Sequence, residues 1–181
     1  MAKVILESLN KVFTSKIGND VKAVNNFNLL LEDGEILALL GSSGCGKTTT
    51  LRMIAGFETA SSGQIKIGER IVNDLKPAER NVAMAFEGYA LYPPLTVRDN
   101  IAFSLMREKI SKEKVDSKVM EVAELLEITD ILERYPPSIS GGQQQRVSLA
   151  RALVRDSDAL LLDEPMSQLE PQLRAVLRAR V

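Results

Sequence analysis

Gly41-Ser42-Ser43-Gly44-Cys45-Gly46-Lys47-Thr48 sets two glycines around four residues and follows them with a lysine and a hydroxyl. Glycine lets successive backbone amides curl around phosphate oxygens without Cβ clashes, so this spacing is suited to cradling phosphates. Lys47 would reach the terminal phosphates, and the Thr48 hydroxyl would ligate Mg²⁺. The contact surface extends to Thr49. Cys45 reads as a small loop residue, because the chain contains no second thiol.

A second chemical group is Asp163-Glu164, which closes the apolar run 159–162. Parallel strands deliver ligand-binding groups at their carboxyl ends. Asp163 there could hold the hydration shell of Mg²⁺, and Glu164 could polarise an attacking water as general base. Alone, the pair would read as a solvated acidic turn; beside the phosphate loop it reads as a second half of a phosphoryl-transfer site. Kinases, GTPases and motor ATPases all remain open on these residues.

The third group is Ile139-Ser140-Gly141-Gly142-Gln143. Ser140 followed three residues later by Gln143 is a capping-box spacing, which a well-capped helix would account for. Two consecutive glycines expose more backbone N–H than a cap needs, which suits an anion docking at the helix end.

These groups need elements to position them. Residues 3–9 and 21–31 read as strands around a turn at 14–20. The short apolar run 35–40 fits a strand buried on both faces of a parallel sheet. Helical spacing follows over 47–56, with Leu51, Ile54 and Ala55 on one face, and residues 63–67 and 82–86 read as further strands. Beyond Pro93 the pattern turns helical at 97–106, 111–128 and 140–155, with Val115, Val119, Val122 and Leu126 recurring on one face. Residues 159–162 return to strand, and 172–180 could form a last helix. The expectation is an α/β core, about 1–92 and 156–181, carrying an inserted helical subdomain at about 93–155.

Composition narrows the chemistry further. The 181 residues include 23 Lys+Arg against 24 Asp+Glu, a formal net charge of −1, which argues against a chain-wide grip on nucleic acid or anionic lipid. Histidine is absent, which removes histidine triads, histidine-ligated metals and a histidine pH switch. With one cysteine, any working metal must be a hard cation held by oxygens. Aromatic residues, at 4%, are too few for a base-stacking platform, so no nucleic-acid partner is expected. The amino terminus carries charges throughout and lacks a secretory core, and no apolar stretch approaches a membrane span. A soluble, cytoplasmic chain is expected.

With phosphate loop, residues 139–143 and Asp163-Glu164 in this order, the sequence resembles the ATP-binding cassette family, whose signature LSGGQ matches 139–143. The resemblance covers essentially the whole chain and is nearest to ATPase subunits of sugar importers of the maltose type, which carry a segment like Tyr89-Ala90-Leu91-Tyr92-Pro93-Pro94-Leu95-Thr96-Val97. It implies a P-loop NTPase, RecA-like core with an N-terminal antiparallel β region and an inserted α-helical subdomain. It also implies ATP and Mg²⁺ as ligands, with Phe13 stacked on adenine and Glu87 at the position of the glutamine that senses the γ-phosphate and ligates the metal. Ser140, Gly141, Gly142 and Gln143 would contact the nucleotide held by a second cassette in a head-to-tail dimer. Implied partners are integral membrane permease subunits and, indirectly, a solute-binding protein, with the chain peripheral on the inner face of the cell membrane.

Three departures from the family stand out. Glutamate replaces glutamine at Glu87, and at ~4–8 Å and an effective dielectric of ~20 its repulsion of the γ-phosphate is of order 2–4 kcal/mol. Ser167-Gln168-Leu169-Glu170 ends on Glu where the family has Asp. The family's switch histidine has no counterpart, so the cassette is expected to be incomplete at its C-terminal side. Two competing readings are a chromosome-maintenance cassette, disfavoured because 48–139 shows no sustained heptads, and a degenerate regulatory subunit, which Glu87 and the missing histidine support.

Overall fold

The computed structural model describes residues 1–14, 18–85, 90–106 and 110–163. The expectations for Glu87, Glu164, Glu170 and a helix over 172–180 fall outside these residues. The chain divides into two units, Met1–Ala83 with Ser157–Leu161, and Met84–Asp156 with Leu162–Val181.

In the first unit, β1 (Val4–Phe13), β2 (Val21–Leu31), β3 (Ser62–Ile67) and β4 (Arg70–Ile71) form an antiparallel sheet in the order β2-β1-β3-β4. Val4, Leu6, Leu9, Ile65 and Ile67 supply its buried face. The β1–β2 ladder shifts register after Leu6 and again after Leu9, with Ser8 and Asn26 at positive φ. There the asparagines do the work of missing ladder bonds: Ser8 N–H donates to Asn28 Oδ1 (2.7 Å) and Asn26 N–H to Asn10 Oδ1 (2.8 Å). Backbone groups left without a ladder bond take such partners, which is why an asparagine-rich stretch can sit inside a strand.

The helix α1 (Lys47–Ala55) buries Thr50, Met53, Ile54 and Ala55, while Leu51, expected on that face, is half-buried. Its last turn is closed by Arg80, which is 3% exposed. The Arg80 guanidinium donates to Met53 O (2.7 Å) and Ile54 O (3.0 Å) at the helix end, where carbonyls run short of intrahelical donors, and to Leu75 O (2.9 Å) and Asn73 O (3.0 Å) of the loop after β4.

The expected strand at 35–40 does not form: these residues are irregular, and Leu40 is 90% exposed. A strand exists only as half of a pair, and among the described residues neither sheet includes this run.

β5 (Val82–Ala85) and β6 (Ala159–Leu162) make a separate two-stranded sheet. Asp158 N–H donates to Asn81 O (2.9 Å) and Asp163 N–H to Ala85 O (3.1 Å), so numbering ascends together and the pair is parallel.

The second unit is built on α2 (Val97–Phe103), α3 (Lys112–Leu125) and α4 (Gly141–Leu153). Each begins where a side-chain oxygen accepts a backbone N–H: Thr96 from Asp99, Ser111 from Lys114, Ser140 from Gln143. The expected stripe on α3 is largely buried at Val119 and Val122, continued by Leu126 beyond its end, and it joins Val97, Ile101, Val147 and Leu149 in the core. α2 and α4 stop a few residues short of their expected ends, at Phe103 and Leu153. Among the described residues, no helix is long and apolar enough to cross a membrane.

Candidate functional site

In the first unit the phosphate loop enters α1 through Gly46, whose φ of 94° is left-handed and whose side offers no cap. A Cβ there would also run into the carbonyl of Ala23 on β2, so glycine is required twice over. The first N–H groups of α1 therefore meet no capping side chain, and no acidic residue occupies the first turn. This is the arrangement of an anion site. The Lys47 ammonium spans the loop, donating to Gly41 O (2.8 Å) and Ser42 O (3.0 Å) and approaching Cys45 Sγ at 3.7 Å. Cys45 N–H donates to Ser42 O (3.3 Å), and the Cys45 side chain fills the space over Gly41. Residues 41–45, with Gly44 among them, are exposed, while Thr48 and Thr49 are half-buried at the start of the helix.

Phe13, the expected adenine contact, ends β1 in the same unit and is 41% exposed. The Lys11 ammonium lies 4.8 Å from the centre of its ring.

In the second unit Asp163 follows β6 directly and is 5% exposed, the burial expected of a carboxylate with a task at a strand end. Glu164 and Glu87 lie outside the described residues. Among the described residues, no group of three or more acidic or thiol side chains could hold a metal by itself.

The glycine pair of the second unit heads α4 as read from the sequence. Ser140 N–H donates to Gln143 Oε1 (2.9 Å) and Gln143 N–H to Ser140 Oγ (3.3 Å), completing the capping box. Ser140 and Gly141 are exposed. A Cβ at Gly142 would meet nothing within 4 Å, and its φ is ordinary, so nothing among the described residues calls for glycine at that position.

Sequence reading missed the polar network behind residues 90–96. Asn100, fully buried, accepts from Tyr92 N–H (2.8 Å) and donates to Tyr92 O (3.1 Å), Leu95 O (3.0 Å) and Thr96 O (2.9 Å). Arg151 of α4 bonds Ala90 O and stacks its guanidinium 4.8 Å from the Tyr92 ring, which in turn meets Phe103 at 4.7 Å. Burial lowers the Arg151 pKa from its ordinary value, with Tyr92 opposing. Neither residue belongs to a quoted motif, although Asn100 follows the segment 89–97 by three residues and Arg151 lies on the helix that residues 139–143 open.

An uncapped helix behind a glycine-rich loop, in an α/β chain with a buried aspartate at a strand end, defines a phosphate-loop protein. Residues 24–167 match the family described as ABC transporter, and the chain belongs to that family. Along its whole length it is 48% identical to the sn-glycerol-3-phosphate import ATP-binding protein UgpC 3 of Agrobacterium fabrum, covering 50% of that protein. It is 50% identical, again along its whole length, to the trehalose/maltose import ATP-binding protein MalK of Thermococcus litoralis, covering 49%. The chain thus spans about half the length of the curated relatives it matches. Among solved structures, the ATP-binding cassette MJ0796, a dimer in a post-hydrolysis state bound to ADP and Pi, superposes with a TM-score of 0.88 at 28% identity, over 97% of this chain and 80% of that one. The ATP-binding cassette family and fold expected from the three motifs are the ones found, and the relatives named above are import ATP-binding proteins, the kind expected from the segment 89–97.

Proposed function

We propose that the chain is the nucleotide-binding part of an importer ATPase subunit, binding ATP with Mg²⁺ and coupling its hydrolysis to uptake of a small, sugar-type solute. The observation that carries this reading is the bare start of α1 with Lys47 drawn across the loop that precedes it. Gly41, Ser42, Gly44, Cys45 and Gly46 would present backbone N–H groups to the phosphates, with Lys47 supplying the one fixed cation of the loop and Thr49 completing the surface. Thr48 and Asp163 would hold Mg²⁺, joined by Glu87. The cation, when bound, neutralises charge on the phosphate oxygens. Glu164 would accept the proton of the attacking water, and Phe13 would stack on adenine.

The helical segment, about 93–155, would carry Ser140, Gly141, Gly142 and Gln143 to the nucleotide of a second cassette, while about 1–92 and 156–181 form the core. The open space at Gly142 supports a partner from outside the chain. Membrane permease subunits would dock on the cassette at the inner face of the membrane, with a solute-binding protein delivering substrate to them.

Titration calorimetry of the chain with Mg·ATP tests the central claim. Wild type binds, and Lys47→Ala loses most of the affinity because phosphate charge is left uncompensated. Equal affinity in the two proteins would remove the loop assignment.

A further inference from the structure

Resting on the reading of the phosphate loop as a nucleotide site, we propose that Lys11, held by Glu58, is a positioning residue that sets Phe13 for contact with the nucleotide base. Lys11 and Phe13 stand two residues apart on β1. The ammonium of Lys11 sits 4.8 Å from the Phe13 ring centre, so one face of that ring is taken. Lys11 itself is fixed: it pairs with Glu58 Oε1 at 2.6 Å, donates to Thr59 O at 2.7 Å, and its side chain is 12% exposed. Phe13 itself keeps 41% of its surface exposed.

The position of this pair next to the phosphate loop follows from register. Phe13 is paired with Val21 and Lys11 with Val24, while Gly46 packs against the carbonyl of Ala23, between those two partners. Glu58 and Thr59 leave the far end of α1, where Glu58 N–H donates to Arg52 O (3.2 Å). One nine-residue helix therefore carries Lys47 at its start and fixes Lys11 from its finish. A cation on one face draws π density toward itself, which makes the opposite face less repulsive to the π cloud of a stacked purine. Lys11 thus acts on the base through Phe13 and has no part in holding phosphate.

The test separates base from phosphate. The 181-residue chain is titrated with Mg·ATP and with magnesium tripolyphosphate, which carries the phosphates without a base. Lys11→Met weakens ATP about tenfold, the scale of a lost stacking contribution, and leaves tripolyphosphate binding unchanged. Glu58→Gln moves ATP affinity in the same direction by less, and Lys11→Met adds nothing in a Phe13→Ala background. The unchanged tripolyphosphate affinity also certifies that the variants are folded. Unchanged ATP affinity in Lys11→Met overturns the proposal, as does an equal loss for both ligands. A wild-type chain that binds neither ligand fails the phosphate-site reading itself, a result visible before any variant is made.

Discussion

Gly56 and Arg80 are fitted to each other: a Cβ on Gly56 would lie 2.6 Å from Arg80 Nε and 2.9 Å from its Cζ. Gly56 is also left-handed, with φ 84°, and ends α1 by returning its N–H to the helix. Burial lowers the Arg80 pKa from its ordinary value, against the opposing charge of Asp74, yet a guanidinium stays protonated in proteins. The helix that begins at the phosphate loop therefore ends on a buried cation, the sign its dipole favours.

Gly56→Ala should destabilise the chain by about 2–4 kcal/mol, combining left-handed strain with displacement of a guanidinium that holds four carbonyls. Urea unfolding followed by circular dichroism measures it. A loss below about 0.5 kcal/mol would mean that Arg80 yields without giving up its bonds.

Asn100→Asp should be harmful in a pH-dependent way. A carboxylate cannot donate to the carbonyls of Tyr92, Leu95 and Thr96, and burial among them raises its folded pKa above the unfolded value of about 3.9. The deficit relative to wild type is then full above the folded pKa and shrinks as pH falls through it, since the protonated form regains a donor. Thermal unfolding of both proteins between pH 4 and pH 8, the range suited to such a shift, would show a constant gap if the site were not buried as described.

Ser140→Arg should block the ATP-dependent dimer while leaving nucleotide binding by the monomer intact, because the capping serine would act on the partner's nucleotide. Sedimentation velocity with and without Mg·ATP reads the first effect, and calorimetry the second. Abolished ATP binding in the isolated monomer would show that Ser140 serves its own chain.

Glu87→Gln should raise ATP turnover by about tenfold or more, since repulsion of order 2–4 kcal/mol between a carboxylate and the γ-phosphate is relieved. Steady-state phosphate release from the two proteins decides it. Equal rates would mean that bound Mg²⁺ already compensates the charge.

Much of this was legible in the sequence where the determining physics is local. The capping boundaries of α2, α3 and α4 rest on Thr96, Ser111 and Ser140, each within three residues of the amide it serves. The phosphate loop is contiguous, so its place at the head of α1 could be read from spacing alone. Residues 35–40 were misread because hydropathy reports that a strand would be apolar, not that a neighbour pairs with it. Arg80 looked like one more charge in Lys76-Pro77-Ala78-Glu79-Arg80, and its burial is decided by a helix end more than twenty positions earlier. The Lys11–Glu58 pair was hidden for the same reason, although Lys11 and Phe13 stand two apart on one strand. Nor did the sequence reveal that Asn10 on β1 and Asn28 on β2 accept backbone N–H groups where the register breaks.

Gly142 has a further implication for how substitutions at that position would be sorted. Neither backbone angle nor neighbouring atoms oblige it to be glycine, and glycine within a helix is up to ~1 kcal/mol worse than alanine. A library screened only for abundance of folded protein would therefore drift toward alanine at 142, whereas, on the proposed importer reading, one screened for solute uptake by cells would hold glycine in place. The divergence between those two screens would give a residue-level map of where the demands of assembly part from the demands of folding.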